Sequence, residues 1–423
     1  MKNKTAFSVS AVIVVSCLLL SATWPELTGE QWANMSPRAL AARIENGADP
    51  AAHSERGITP LIFAAVYNHD PDVVRVLLNY GVDPNGNQIS LTPLMAAARS
   101  NTPEVVAVLI EAGAEVNVQD ELGWTPLILA ITYNPDPDVI SVLLAAGADP
   151  NLRDAYGQTP LTIAAGNNRG VEVVSSLLAA GADANAEERD GWTPFMAAAA
   201  FGTDLQVLEL MLDYDALVSA RNSGGWTPLM AACAHNGNAR FTRALLDSGA
   251  DVNAASPAGW TPLMLAAAHN PNSEVLLMLL ESGAEIDVRN RDGRTPLMVA
   301  AQDSVSAEVV ASLLRAGADP NAGDANGSTA LMIAAESNTL PGVLSLLIDA
   351  GARVNAQEKN DWTPLMFAVK WNPNPDIART LIEAGANTKL IARGGVTVWD
   401  LAQSNNALMS SDVYERLREL QEE

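Results

Sequence analysis

A threonine recurs along this chain at a spacing that admits few folds. Thr59, Thr92, Thr125, Thr159, Thr193, Thr227, Thr261, Thr295, Thr329, Thr363 and Thr397 are separated by 33, 33 and then always 34 residues, and most are followed by proline. A period sustained this long means one supersecondary unit copied in register. Repeats extend a single unit well past the ~100–200 residues of an ordinary domain, so the 423-residue length does not by itself call for several domains.

The unit can be read from residues 259 to 293. Thr261 supplies an N-cap oxygen, and Pro262 is a first helical residue that needs no N–H. "LMLAAA" makes an apolar, alanine-rich inner helix whose small side chains let the next unit approach closely. Asn270 is expected to end it in a left-handed conformation, and Pro271 blocks continuation. "SEVLLMLLESG" then places Val275, Leu276, Leu279 and Leu280 on one face of a second helix ending at Gly283. The segment "AEIDVRNRDG" has the composition of a hairpin loop. Neither helix can bury its apolar face alone, so the units must stack.

Thr-Pro-Leu opening a helix, Ala-Ala within it, Val-Val and Leu-Leu in the next and Gly-Ala-Asp-x-Asn before the hairpin resemble ankyrin repeats, with every element present in residues 157 to 186. The resemblance covers about 24 to 423. It implies an all-α repeat solenoid of helix-turn-helix units with hairpin loops, stacked in one curved array. The tetratricopeptide repeat also runs to 34 residues, but its Trp, Leu-Gly and Tyr signature is missing.

Three departures from the family pattern stand out. The fourth position, often His in the family, is Met95, Met196, Met230, Met264, Met298, Met332 and Met366, a column expected in the core. Most units carry one extra residue between the helices, as in "NPDPD" at 134–138 and "NPNPD" at 372–376, where Asp138 and Asp376 read as helix caps rather than calcium ligands. Asp215 stands where the other units have glycine, which is read as sequence drift against the alternative of a kinked or frayed joint.

The ends read as caps and a leader. Residues 24–58 form an N-terminal half-repeat with a polar helix expected within 25–35, residues 59–396 the array, and residues 397–423 a closing repeat with a charged helix at about 411–419. Residues 1–22 place Lys2 and Lys4 before an apolar run from Ala6 to Leu20 and then small residues, the order of a secretory signal, with cleavage expected after Ala22. Retention as an anchor and lipidation at Cys17 of "VVSC" are the alternatives. The expected location is accordingly the periplasm or envelope of a bacterium, with inner-membrane anchoring, a lipoprotein or secretion as variants.

Composition excludes more than it selects. There are 25 Lys and Arg against 49 Asp and Glu, a formal charge of -24, which repels phosphate backbones and favours a basic or extended protein segment over nucleic acid. The two cysteines, Cys17 and Cys233, could form no intrachain disulfide once residues 1–22 are removed, and Cys233 reads as a small buried filler. His53, His69, His235 and His269 are too scattered for a zinc motif, and no phosphate loop, nucleophile elbow or HExxH sequence occurs. No enzyme, cofactor or metal is expected, and the chain reads as a monomer whose only membrane association is through its N-terminal segment.

Two aromatic columns carry the functional expectation. Trp124, Trp192, Trp226, Trp260 and Trp362 precede the helix-starting threonine, and Tyr67, Tyr133, Phe201, His235, His269 and Trp371 occupy the ninth position of their units. The resemblance implies that both lie on a concave surface that contacts partners, with Trp192, Trp226 and Trp260 about 8–10 Å apart as a ladder. Aromatics bordered by acidic loops resemble a hot-spot surface. The competing readings are rings that stiffen a passive envelope spacer, and a secreted effector acting on host proteins.

Overall fold

The computed structural model describes residues 24, 27–54, 57–86, 91–270, 272–302 and 307–422; residues 1–22, expected as a leader and containing Cys17, and Pro271 lie outside them. About 52% of the described residues are helical, in 25 helices, most of which pair as inner and outer helices of successive repeats. The chain forms two compact units, residues 1–198 with 209–216, and residues 199–208 with 217–423.

Each inner helix starts where the threonine period places it. The Thr59, Thr92 and Thr125 hydroxyls accept from the backbone N–H three residues on, as do those of Thr227, Thr261 and Thr363. Proline opens the helix at Thr261, while Ala330 and Val398 do so at Thr329 and Thr397. The methionine column is fully buried, and in three repeats its sulfur also accepts the threonine N–H, as Met230 does from Thr227. Cys233 lies in the same layer with no exposed surface, and burial pushes its thiol pKa up.

The turn between the helices departs from expectation. Asn270 ends its helix at φ -99° and ψ 115°, an extended conformation, because its side chain has a different task. Its Nδ2 donates to the Cys233 and Asn236 carbonyls of the preceding repeat, and its Oδ1 accepts from Asn272 N. The same buried amide recurs in unit 1 as Asn68, Asn101 and Asn134, and in unit 2 as Asn236, Asn338 and Asn372. In the Thr159 repeat the Arg169 guanidinium takes over, donating to the Asn134 carbonyl. Outer-helix capping also sits two residues earlier than read: Asp136 accepts from Asp138 N and Asn374 from Asp376 N, which places Asp138 and Asp376 inside the first turn.

A second set of asparagines works on the far side. Asn117 Nδ2 donates to the Gly147 carbonyl while its Oδ1 accepts from Asp149 N, and Asn253 does the same to Gly283 and Glu285. Asp215 adopts φ +60°, and the bonds Asp215 N to Leu212 O and Ala216 N to Met211 O match those at Gly249 and Ala250. The joint is not frayed; an aspartate tolerates the left-handed conformation that glycine adopts elsewhere.

The hairpins lie at the base of the inner helices. Asp120 N bonds the Trp124 carbonyl across the hairpin, and Ala155 N bonds Leu122 O of the preceding one at 2.7 Å. Gly123 adopts φ +74°, and a Cβ there would sit 2.9 Å from Asp154 Cα, so both conformation and space require glycine. Among the described residues strand geometry occurs only at Ile391–Ala392 and Val396–Thr397, paired antiparallel.

The terminal segments shield the array differently. At the N-terminus a short helix Gly29–Ala33 and a longer one, Pro37–Glu45, bury Trp24 and Trp32, which stack at 5.7 Å, and Trp32 stacks on Phe63 at 6.0 Å. At the C-terminus Val398–Ala402 is followed by a short turn Asn406–Met409 and the charged helix Asp412–Glu422.

Candidate functional site

Each tryptophan before a helix-starting threonine is held by the hairpin behind it. In unit 1, Asp120 Oδ1 accepts from Trp124 N at 2.8 Å; in unit 2, Asn222 does so for Trp226 and Glu358 for Trp362. The rings then pair with the ninth-position residue of their own repeat. Trp124 meets Tyr133 at 5.7 Å, Trp226 meets His235 at 5.9 Å, Trp260 meets His269 at 6.5 Å and Trp362 meets Trp371 at 4.8 Å. In these four repeats the two columns therefore meet, as their expected nearness on one face requires.

Exposure separates the members of each pair. The five tryptophans are half-buried, as are Tyr67 and Tyr133, whereas His235 and His269 are exposed and Phe201 and Trp371 are each 49% exposed. Phe201 also stacks on His235 at 5.6 Å, and Tyr67 stacks on Phe63 at 6.3 Å. Although His235 is exposed as a residue, desolvation of its ring between Phe201 and Trp226, then the neighbouring His269, lowers its pKa and favours the neutral form.

Three participants carry no signal in the aromatic columns: Arg99 and Phe367 sit at other positions of the unit, and Gln158 holds the tryptophan position without an aromatic ring. Arg99 places its guanidinium 4.6 Å over the Tyr133 ring, Phe367 packs 5.5 Å from both Trp362 and Trp371, and Gln158 stands where other repeats have tryptophan. Gln158 Nε2 donates to Glu188 Oε2 at 3.1 Å. Burial is the main cause that pushes Glu188 and Asp154 up; the Asp154 and Asp190 charges add to it at Glu188, while the Tyr156 and Gln158 N–H groups that donate to Asp154 oppose it there. The signal that could have found Arg99 is the register itself, since it lies one position before the aromatic column, in the repeat preceding Tyr133.

Among the described residues no three His, Cys, Asp or Glu side chains gather as metal ligands, and no helix is long and apolar enough to cross a membrane. The histidines instead make local contacts, such as His69 Nδ1 with Asn101 Oδ1 at 2.9 Å. Within each unit the arrangement is one of paired rings at the inner-helix ends with polar and charged groups beside them.

Comparison with known proteins gives the class. A family model described as ankyrin repeats matches residues 33–120, 112–188, 161–256, 234–324 and 297–392, and the chain belongs to the ankyrin-repeat family. Ankyrin repeats are generally protein–protein interaction modules. Among relatives, protein PhlB of Serratia liquefaciens is 37% identical over 113 residues, 26% of this chain and 49% of that protein. Glycerophosphocholine phosphodiesterase gde1 of Schizosaccharomyces pombe is 37% identical over 17% of this chain, and alpha-latrocrustotoxin-Lt1a of Latrodectus tredecimguttatus 38% identical over 21%. The chain thus spans about half of the first relative and 6% of each of the other two. The phosphodiesterase match is confined to the repeats.

Proposed function

We propose that this chain is an exported ankyrin scaffold that captures another protein on the face shared by its inner-helix ends and hairpins. The observation that carries the reading is the exposure of Phe201 and Trp371, each with half its surface in water and a second ring packed against it. Large aromatics held rigid yet open give contact area at little entropic cost, which is the property of interface anchors. The bordering hairpins and the charge of -24 favour a basic or extended segment as the bound element. Export is supported by the basic, apolar, small-residue order of residues 1–22; cleavage after Ala22 would leave Trp24, which packs in the N-terminal cap, in place.

A crosslinking pull-down from the native envelope tests the scaffold reading, comparing the intact protein with a Phe201→Ser, His269→Ala, Trp371→Ser variant. Capture by the intact protein alone, with helical content equal in both, is the expected outcome. Equal capture moves the site off this face, and capture by neither favours the spacer. Amino-terminal sequencing of the mature protein tests export, with Thr23 as the expected first residue.

A further inference from the structure

The repeat register lets one site in unit 1 explain another in unit 2. Arg99 is the penultimate residue of the inner helix Pro93–Ser100, and Tyr133 is the last residue of the next inner helix, Pro126–Tyr133. The guanidinium lies 4.6 Å over the Tyr133 ring, which is itself 5.7 Å from Trp124. In the Thr329 and Thr363 repeats the same two positions are Glu336 and Trp371. Trp371 stacks on Trp362 at 4.8 Å with 20° between the planes and has Phe367 at 5.5 Å, so its platform is firmer than that of Tyr133. Among the described residues no cation covers it: exposed Glu336 stands at the register position of Arg99, and Trp371 remains 49% exposed. The nearest lysine on the same helix, Lys370, is turned to Ser404 Oγ at 3.0 Å.

Resting on the partner-binding reading of this face, we propose that Trp371 receives an arginine side chain from a basic segment of the partner protein, with Glu336 as its counter-charge. The planar guanidinium stacks on a flat ring and leaves its N–H edge free for a carboxylate, an arrangement that a lysine ammonium cannot reproduce. The chain supplies this group to itself at Tyr133; at Trp371 it supplies the ring and the anion and leaves the cation to the partner. The formal charge of -24 adds steering toward a basic segment.

The probe is an acetylated, amidated peptide of alternating Gly and Arg, three arginines long, with citrulline and lysine counterparts. Each is titrated calorimetrically into the full chain at about 150 mM salt, where remote charges are screened. The arginine peptide is expected to bind about tenfold more tightly than the citrulline peptide, and more tightly than the lysine peptide. Trp371→Ala, which leaves net charge unchanged, should lose about that tenfold, and so should Glu336→Arg, which supplies a guanidinium from within. Glu111→Arg, the same charge change at an exposed site in unit 1, should weaken binding far less. The proposal is overturned if Trp371→Ala binds as the parent does, if Glu336→Arg weakens binding no more than Glu111→Arg, or if the citrulline or lysine peptide binds equally well. Circular dichroism checks that each variant folds, and Glu336→Arg, at an exposed position, keeps the test valid should Trp371→Ala unfold. Capture of the native partner that survives both Glu336→Arg and Trp371→Ala but fails in the Phe201, His269, Trp371 variant overturns this inference and leaves the scaffold reading standing.

Discussion

The buried asparagines of the turns and the half-exposed rings of the inner-helix ends recur with the same period, yet they meet their surroundings in opposite ways. Asn270 spends its amide and its carbonyl on three backbone groups, two of them in the preceding repeat. Trp371 has one face against Trp362 and the other in water. Recurrence therefore does not separate scaffold from site; what separates them is whether a side chain's capacity for contact is already used within the chain. Asn270 is saturated, and Trp371, half in water, is not.

The sharpest way to break that contrast is Asn270→Ala. It strips a donor from two buried carbonyls and an acceptor from Asn272 N, and a loss of about 2–4 kcal/mol in urea unfolding is expected. A loss below about 0.5 kcal/mol, the level of an ordinary surface change, would put the asparagines in the same class as the rings. Thr261→Ala comes next, at about 1 kcal/mol, since it removes a cap bond to Met264 N and leaves the proline start intact. Arg99→Ala should cost less, about 0.5–1 kcal/mol, and should expose the Tyr133 ring as Trp371 is exposed, which iodide or acrylamide quenching of Trp124 would register.

The smallest effect is one of pH. Folding lowers the His235 pKa from its ordinary 6.5, chiefly by burial, so below that value the unfolded chain takes up a proton that the folded one resists. Stability from this group is thus present at neutral pH and declines as pH falls from 6.5 toward the lowered folded value. Replacing the ring in His235→Phe, which keeps the stack between Phe201 and Trp226, should flatten that part of the melting temperature against pH curve. An unchanged slope would show that the proton is taken up elsewhere.

Much of the fold was legible because its determinants are local. Thr261, Pro262 and the alanine run specify a helix start and a small-residue contact within one unit, and the register then repeats it. Asn270 shows the limit of that reading: a terminal asparagine beside proline fits a left-handed stop, but the carbonyls it serves lie 34 and 37 residues back. The site was legible in part for the same reason. The aromatic columns were visible as columns, whereas Arg99 over Tyr133 and Phe367 beside Trp371 join positions that no single unit's pattern links.

The sequence alone determined the period, the helix starts, the buried methionines and the balance of charge, since each follows from residue type at a fixed spacing along one chain. Tertiary structure decided which rings are covered and which open, because exposure depends on what the neighbouring repeat places above a ring. At Tyr133 that neighbour contributes a guanidinium, and at Trp371 the ring is left half in water.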